Sequence, residues 1–177
     1  MFGILLLVLS RHDVAAQTPP EATIDLLPNS SKVAFRAYGF GLFPLDGNFT
    51  RFQGRFTYDP AAASHCSVTL QADVASLDMT PSTAGETVRG PDFLDAARFP
   101  MLAYQGACGP DGLTGQLTMH GVTRPFKLRL DRRADAITAV GRLLRADWGM
   151  TARPLLGGST VRITVTVPLP APRRPGG

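Results

Sequence analysis

The sequence predicts an all-β fold, an antiparallel meander of about eight strands closed as a barrel or stacked as a sandwich. Three observations carry this expectation. From residue 32 onward, apolar and polar residues alternate with period two over most of the chain, so each segment has one wet face and one dry face. Turn signals punctuate the alternation: Asp59-Pro60, Gly109-Pro110-Asp111-Gly112, His120-Gly121 and Gly157-Gly158. The segments are also amphipathic, whereas strands of a parallel sheet covered on both faces read as unbroken apolar runs. A barrel would remove exposed strand edges and could enclose a cavity.

The chain has 177 residues, enough for one domain with a sizeable core. Residues 3–9 form an apolar run too short to span a bilayer. Val14-Ala15-Ala16 follows as a small-residue ending suited to signal peptidase, with cleavage before Gln17. No Lys or Arg precedes the run, a departure from the usual pattern. Residues 1–16 are expected to be an export signal and 17–23 a polar, Pro-rich leader.

The strands follow in order. In KVAFRAY, Val33, Phe35 and Ala37 share one parity. In FTRFQGRFTY, Phe52, Phe56 and Tyr58 oppose Arg51, Gln53, Arg55 and Thr57. In CSVTLQADV, Cys66, Val68, Leu70, Ala72 and Val74 face one way. Leu113, Leu117 and Met119 share a face, as do Phe126, Leu128 and Leu130, and then Val161, Ile163, Val165 and Val167. Period two fails over residues 79–99. There DFLDAARF can form two helical turns with Asp92 as N-cap, and Phe93, Leu94 and Phe99 can cover an apolar opening. That segment is expected to be a loop plus short helix across one end. Residues 169–177 are Pro/Gly-rich and expected to be a flexible tail.

The net charge is +4, and all but Lys32 and Lys127 of the 18 basic residues are arginine. They are scattered, and no aromatic residues interleave with them as a base-stacking surface requires, which argues against nucleic-acid binding. Weak attraction to an anionic membrane surface is compatible with the charge. Cys66 and Cys108 are too few for a zinc site. In an oxidising compartment they would form one disulfide closing about forty residues, on the order of 3–4 kcal/mol; two separate buried thiols are the alternative. No GxSxG, GxGxxG or P-loop motif is present. His12, His65 and His120 have no metal-ligand spacing. Asp92 and Asp95 read as the acidic first turn of a helix. His120-Gly121 reads as a tight turn, with Pro125 at the start of the next strand. The catalytic alternative pairs His120 with an acid such as Asp147.

Five stretches in the same order resemble the YceI-like family of bacterial periplasmic proteins. They are TIDLLPNSSKVAFRA (23–37), LDGNFTRFQGRFTYDP (45–60), DFLDAARFPMLAY (92–104), LTGQLTMHGVTRPFKL (113–128) and RADWGM (145–150). The similarity covers residues 23–168. One stretch departs: where the family carries Arg-Asp-x-His-Leu, this chain has AGETV (84–88).

The resemblance implies an eight-stranded lipocalin-like barrel in the periplasm that binds a polyprenyl lipid or quinone tail, with no enzymatic cofactor. The lining it implies, from the dry parity, is Val33, Phe35, Phe52, Phe56, Val68, Leu70, Phe93, Leu117, Met119, Phe126, Leu128, Trp148, Ile163 and Val165. Each buried CH₂ contributes about 0.8 kcal/mol, so such a ligand needs few polar contacts. The same residues could instead fill a solid core, since parity does not separate core from cavity. A homodimer, peripheral membrane contact and a role as soluble accessory of a membrane redox complex are further expectations.

Overall fold

The computed structural model describes residues 21–40, 42–60, 65–153 and 158–169. The expected export signal (1–16) and all of the expected tail beyond Leu169 lie outside the described residues.

Among the described residues, eleven strands make one antiparallel sheet in the order β1–β4–β5–β7–β8–β9–β10–β11–β2–β3–β6. They are β1 (Ala22–Leu26), β2 (Lys32–Gly39), β3 (Phe43–Phe49), β4 (Phe52–Tyr58), β5 (Cys66–Asp73), β6 (Leu77–Thr80), β7 (Met101–Gly109), β8 (Gly112–Met119), β9 (Val122–Arg132), β10 (Ala136–Leu144) and β11 (Thr160–Pro168). Only Thr50 and Arg51 separate β3 from β4, and one 3-10 turn, Val74–Ser76, separates β5 from β6. The two bends lie side by side. Thr50 N–H donates to the Ser76 carbonyl (3.1 Å) and Asp73 N–H to that of Arg51 (3.0 Å), so pairing passes through the corner. Counted as two bent strands, β3/β4 and β5/β6 join β2 and β7–β11 in an eight-membered curl, with β1 added beside β4. The eight strands expected from the sequence are therefore these eight.

The dry parity becomes the interior. Val33, Phe56, Val68, Leu117, Phe126, Leu128 and Val165 are buried, and their polar neighbours Lys32, Arg55, Lys127 and Arg129 are exposed. The β8–β9 connection is a two-residue turn with φ of 51° at His120 and 73° at Gly121, the conformation whose twist matches a hairpin. A Cβ at Gly121 would also meet the Phe99 ring at 2.5 Å. Cys66 and Cys108 are joined by a disulfide between β5 and β7, with Cα atoms 4.9 Å apart.

The helix is not where the sequence placed it. α1 spans Ser82–Arg89, and residues 92–99 form successive turns. Asp95 adopts φ 46°, which interrupts any right-handed helix there. Nor does Asp92 cap a helix: its carboxylate accepts from Arg153 Nε at 2.5 Å. The Asp95 carboxylate lies 3.7 Å from Arg98. α1 turns Ala84 and Val88, four residues apart, onto the core, and Arg89 Nη1 donates to the Leu77 carbonyl. Among the described residues, no helix is long and apolar enough to cross a membrane.

Candidate functional site

Two apolar chambers lie inside the curled sheet. The smaller, about 80 Å³, is walled by β4, β5, β7–β11 and the start of β2, including Val33, Phe56, Val68, Leu117, Leu128 and Val165. The larger, about 300 Å³, lies under α1 and the 93–94 turn, walled by Phe35, Ala37, Leu45, Phe49, Met79, Met119 and Val161 among others. Ile163 borders both chambers. A volume near 300 Å³ is the lower end of what ligand pockets occupy.

The walls arise from the strand pattern. β2 and β11 pair Val33 with Val165 and Phe35 with Ile163. These inward pairs run along one wall from the small chamber to the large one. Gly47 sits opposite Phe35. A Cβ there would meet the Phe35 ring at 2.5 Å, so the missing side chain is what lets that ring lie across the wall.

Of the lining residues expected from sequence, all but Phe52 and Trp148 border a chamber. Both exceptions are buried. Phe52 lies just past the β3/β4 bend, where the alternation restarts. Trp148 belongs to a 3-10 turn, Arg145–Trp148. Its Nε1 donates to the Leu117 carbonyl (3.2 Å) and its ring packs edge-on against Phe126. β9 and β10 pair over Arg129–Arg132 and Ile137–Val140, and the turn that carries Trp148 lies against both strands. Phe93 and Leu94 line the large chamber as expected, but Phe99 instead packs on His120, ring centroids 4.7 Å apart.

The polar groups are few. Tyr104 borders the small chamber. Its hydroxyl donates to the Phe126 carbonyl at 3.3 Å, and burial pushes its pKa up to about 12. Arg145 borders the large chamber and is 5% exposed. Nη1 and Nη2 donate to the carbonyls of Ala152 (2.8 Å) and Arg153 (3.0 Å), and the guanidinium lies 5.1 Å from the centre of the Phe93 ring. Burial lowers its pKa from the usual guanidinium value. Sequence reasoning missed Arg145 as a wall residue, because a charged residue just after a strand reads as solvent-facing. Its one signal was membership of RADWGM.

His120 borders neither chamber. Its Nδ1 lies 3.0 Å from the Trp148 carbonyl; a carbonyl only accepts, so Nδ1 carries the proton. The bond ties the β8–β9 turn to the 3-10 turn, a structural role. Among the described residues, no group of three or more His, Cys, Asp or Glu is placed to hold a metal ion.

Comparison with known proteins gives the same architecture. A model of the YceI-like domain matches residues 24–169. A UPF0312 protein of Vibrio cholerae serotype O1 is 28% identical over 122 residues, 66% of this chain and 65% of that protein. One from a Shewanella species is 25% identical over 135 residues, 73% of this chain and 68% of that protein. The chain thus spans about two thirds of the length of the curated relatives it matches. Among solved structures, BcnA of Burkholderia cenocepacia superposes with a TM-score of 0.66 at 23% identity, over 79% of this chain and 96% of that one. A polyisoprenoid-binding domain from Saccharophagus degradans gives 0.57 at 14%, over 80% and 94%. The YceI protein of Campylobacter jejuni gives 0.58 at 19%, over 70% and 82%. At these identities the structural likeness speaks for the fold.

Proposed function

The chain belongs to the YceI-like domain family, and from that premise we propose that its barrel binds a long isoprenoid chain, a polyprenyl or quinone tail, as a periplasmic carrier or storage protein and not as an enzyme. The observation that carries the reading is the pair of apolar chambers meeting at Ile163. Among the described residues, their walls offer an isoprenoid chain an environment free of charge except at Arg145. Five carbons per isoprene unit at about 0.8 kcal/mol each give roughly 4 kcal/mol of gross transfer energy per unit, so chain length supplies affinity without polar recognition. The neighbour described as a polyisoprenoid-binding domain supports the ligand class.

Peripheral contact with a bilayer belongs to the same reading. The tip of the β2–β3 hairpin exposes Tyr38, Phe40, Leu42 and Phe43, with Leu42 77% exposed. Gly158, in the wall of the large chamber, donates its N–H to the Tyr38 carbonyl (2.7 Å). The exposed apolar tip therefore adjoins the wall of the large chamber.

Native mass spectrometry of protein recovered from a bacterial periplasm tests the reading. A bound species whose fragments are spaced by the isoprene mass is expected. Protein that carries no lipid, and takes up neither geranylgeraniol nor a longer prenol from vesicles, would refute it.

A further inference from the structure

We propose that the occupant of the large chamber ends in an anionic oxygen group, a phosphate ester or a carboxylate, and that Arg145 receives it. The proposal rests on the chain-binding reading above and adds the chemistry of the head.

The argument begins with charge. Arg145 is 5% exposed in a chamber wall that is otherwise apolar apart from Thr87. A guanidinium has five N–H donors and remains protonated in proteins. Two of those donors go to the carbonyls of Ala152 and Arg153. These acceptors carry no net charge, and the Phe93 face offsets only part of the cost of burying a cation. Such a burial is unfavourable unless a counter-charge accompanies it.

The protein does not supply one among its described residues. The ion pairs join Asp46, Asp73, Asp25, Asp95, Asp131 and Asp92 to other arginines. Asp13 is the single acidic residue of the sequence outside the described ones. Arg153, whose carbonyl accepts from Arg145, has its own guanidinium paired with Asp92. The uncompensated charge in the wall is that of Arg145.

Geometry fits the role. Arg145 opens the 3-10 turn that follows β10; its guanidinium is held by the Nη1 and Nη2 bonds to the 152–153 carbonyls and by the Phe93 ring, and its backbone by the N–H donated to the Ser159 carbonyl. A planar guanidinium fixed in this way presents its remaining N–H groups in one orientation, which suits oxygens of a phosphate or carboxylate. The apolar chain then has the length of the large chamber before it and Ile163 at the far side.

Calorimetric titration of the whole protein with matched pairs decides the matter: geranylgeranyl phosphate against geranylgeraniol, and oleate against oleyl alcohol. The wild type should prefer the anion of at least one pair by about tenfold or more, the scale of one charge-assisted contact. Preference confined to one pair supports the proposal and identifies the source as a prenyl phosphate or a fatty acid. In Arg145→Met the preference, read as the ratio of anion to alcohol affinity within that variant, should vanish. Arg145→Lys keeps the charge but not the fork and should retain a reduced preference; it carries the test if Arg145→Met does not fold. Equal binding of anion and alcohol by the wild type, or a preference that survives in Arg145→Met, overturns the proposal and leaves chain binding standing. Failure of all four ligands to bind overturns both.

Discussion

The disulfide is where sequence distance and structure combine into a calculable effect. Cys66 and Cys108 are 42 residues apart in sequence, yet their strands are direct neighbours, with Ser67 paired to Ala107. In the chain-entropy account, cross-linking removes closure entropy from the unfolded ensemble as 2.1 + 1.5R ln n. For this loop that is about 13 cal/mol/K, or about 4 kcal/mol at 25 °C. A protein of this size shifts its melting temperature by about 2–4 °C per kcal/mol. The Cys66→Ala/Cys108→Ala double variant should therefore melt about 8–16 °C below the oxidised wild type. The assay is calorimetry of wild type and double variant with and without reductant. Reduced wild type should fall to near the double variant, while the double variant should ignore the reductant. A change below about 2 °C on reduction would refute the reasoning, because the loop would then be no more constrained in the oxidised unfolded chain than in the reduced one.

Further outcomes follow from the same structure. The side-chain hydrogen bonds from Arg36 and Arg51 hold the Asp46 and Asp73 carboxyls below their ordinary pKa. Their contribution is present above the unfolded value of about 4 and lost as pH falls through the lower folded value; melting temperature should drop below about pH 4, and Asp46→Asn/Asp73→Asn should flatten that drop. Tyr104 has the opposite sign: its folded pKa of about 12 lies above the unfolded value of about 10, so stability should be lost between those values, and an alkaline melt of Tyr104→Phe should lack that component. Ile163→Phe places a ring where the two chambers meet, so in a prenol length series the affinity gained from the longest chains should disappear while the short ones bind as before. Replacing Phe40, Leu42 and Phe43 by serine should weaken vesicle flotation severalfold without lowering the melting temperature, because these side chains are exposed.

Much of this was legible in the sequence because β-strand side chains alternate strictly. Val33, Val68, Leu117 and Val165 face inward for no reason beyond parity, and the His120-Gly121 turn followed from the conformational freedom of its glycine. Parity fails at corners. Phe49 and Phe52 are both buried though their parities differ, since the bend between β3 and β4 resets the alternation. α1 escaped notice because only Ala84 and Val88 mark its inner face, while Ser, Thr and Gly make up most of the rest, with Glu86 and Arg89. Parity also reports direction and not distance: nothing in the pattern distinguishes side chains that meet at the centre from those that leave a chamber. Arg145 was hidden for a related reason, since its burial depends on the 152–153 backbone and Phe93, which only the tertiary fold brings together.

The register between β2 and β11, with Val33 opposite Val165, sets the order in which the molecule can be completed. Every other seam of the curl joins segments closer together in the chain, whereas this one joins β2 to β11, the last of the described strands, and closes only once β11 has been synthesised. Until then the greasy inner surface lies open along one side, and a nascent chain stalled at that stage is exposed to self-association. Because this most distant pairing also carries the highest closure entropy, β11 docking is the natural bottleneck of assembly, and a truncation before Thr160 should yield an aggregating species instead of a smaller working version of the protein.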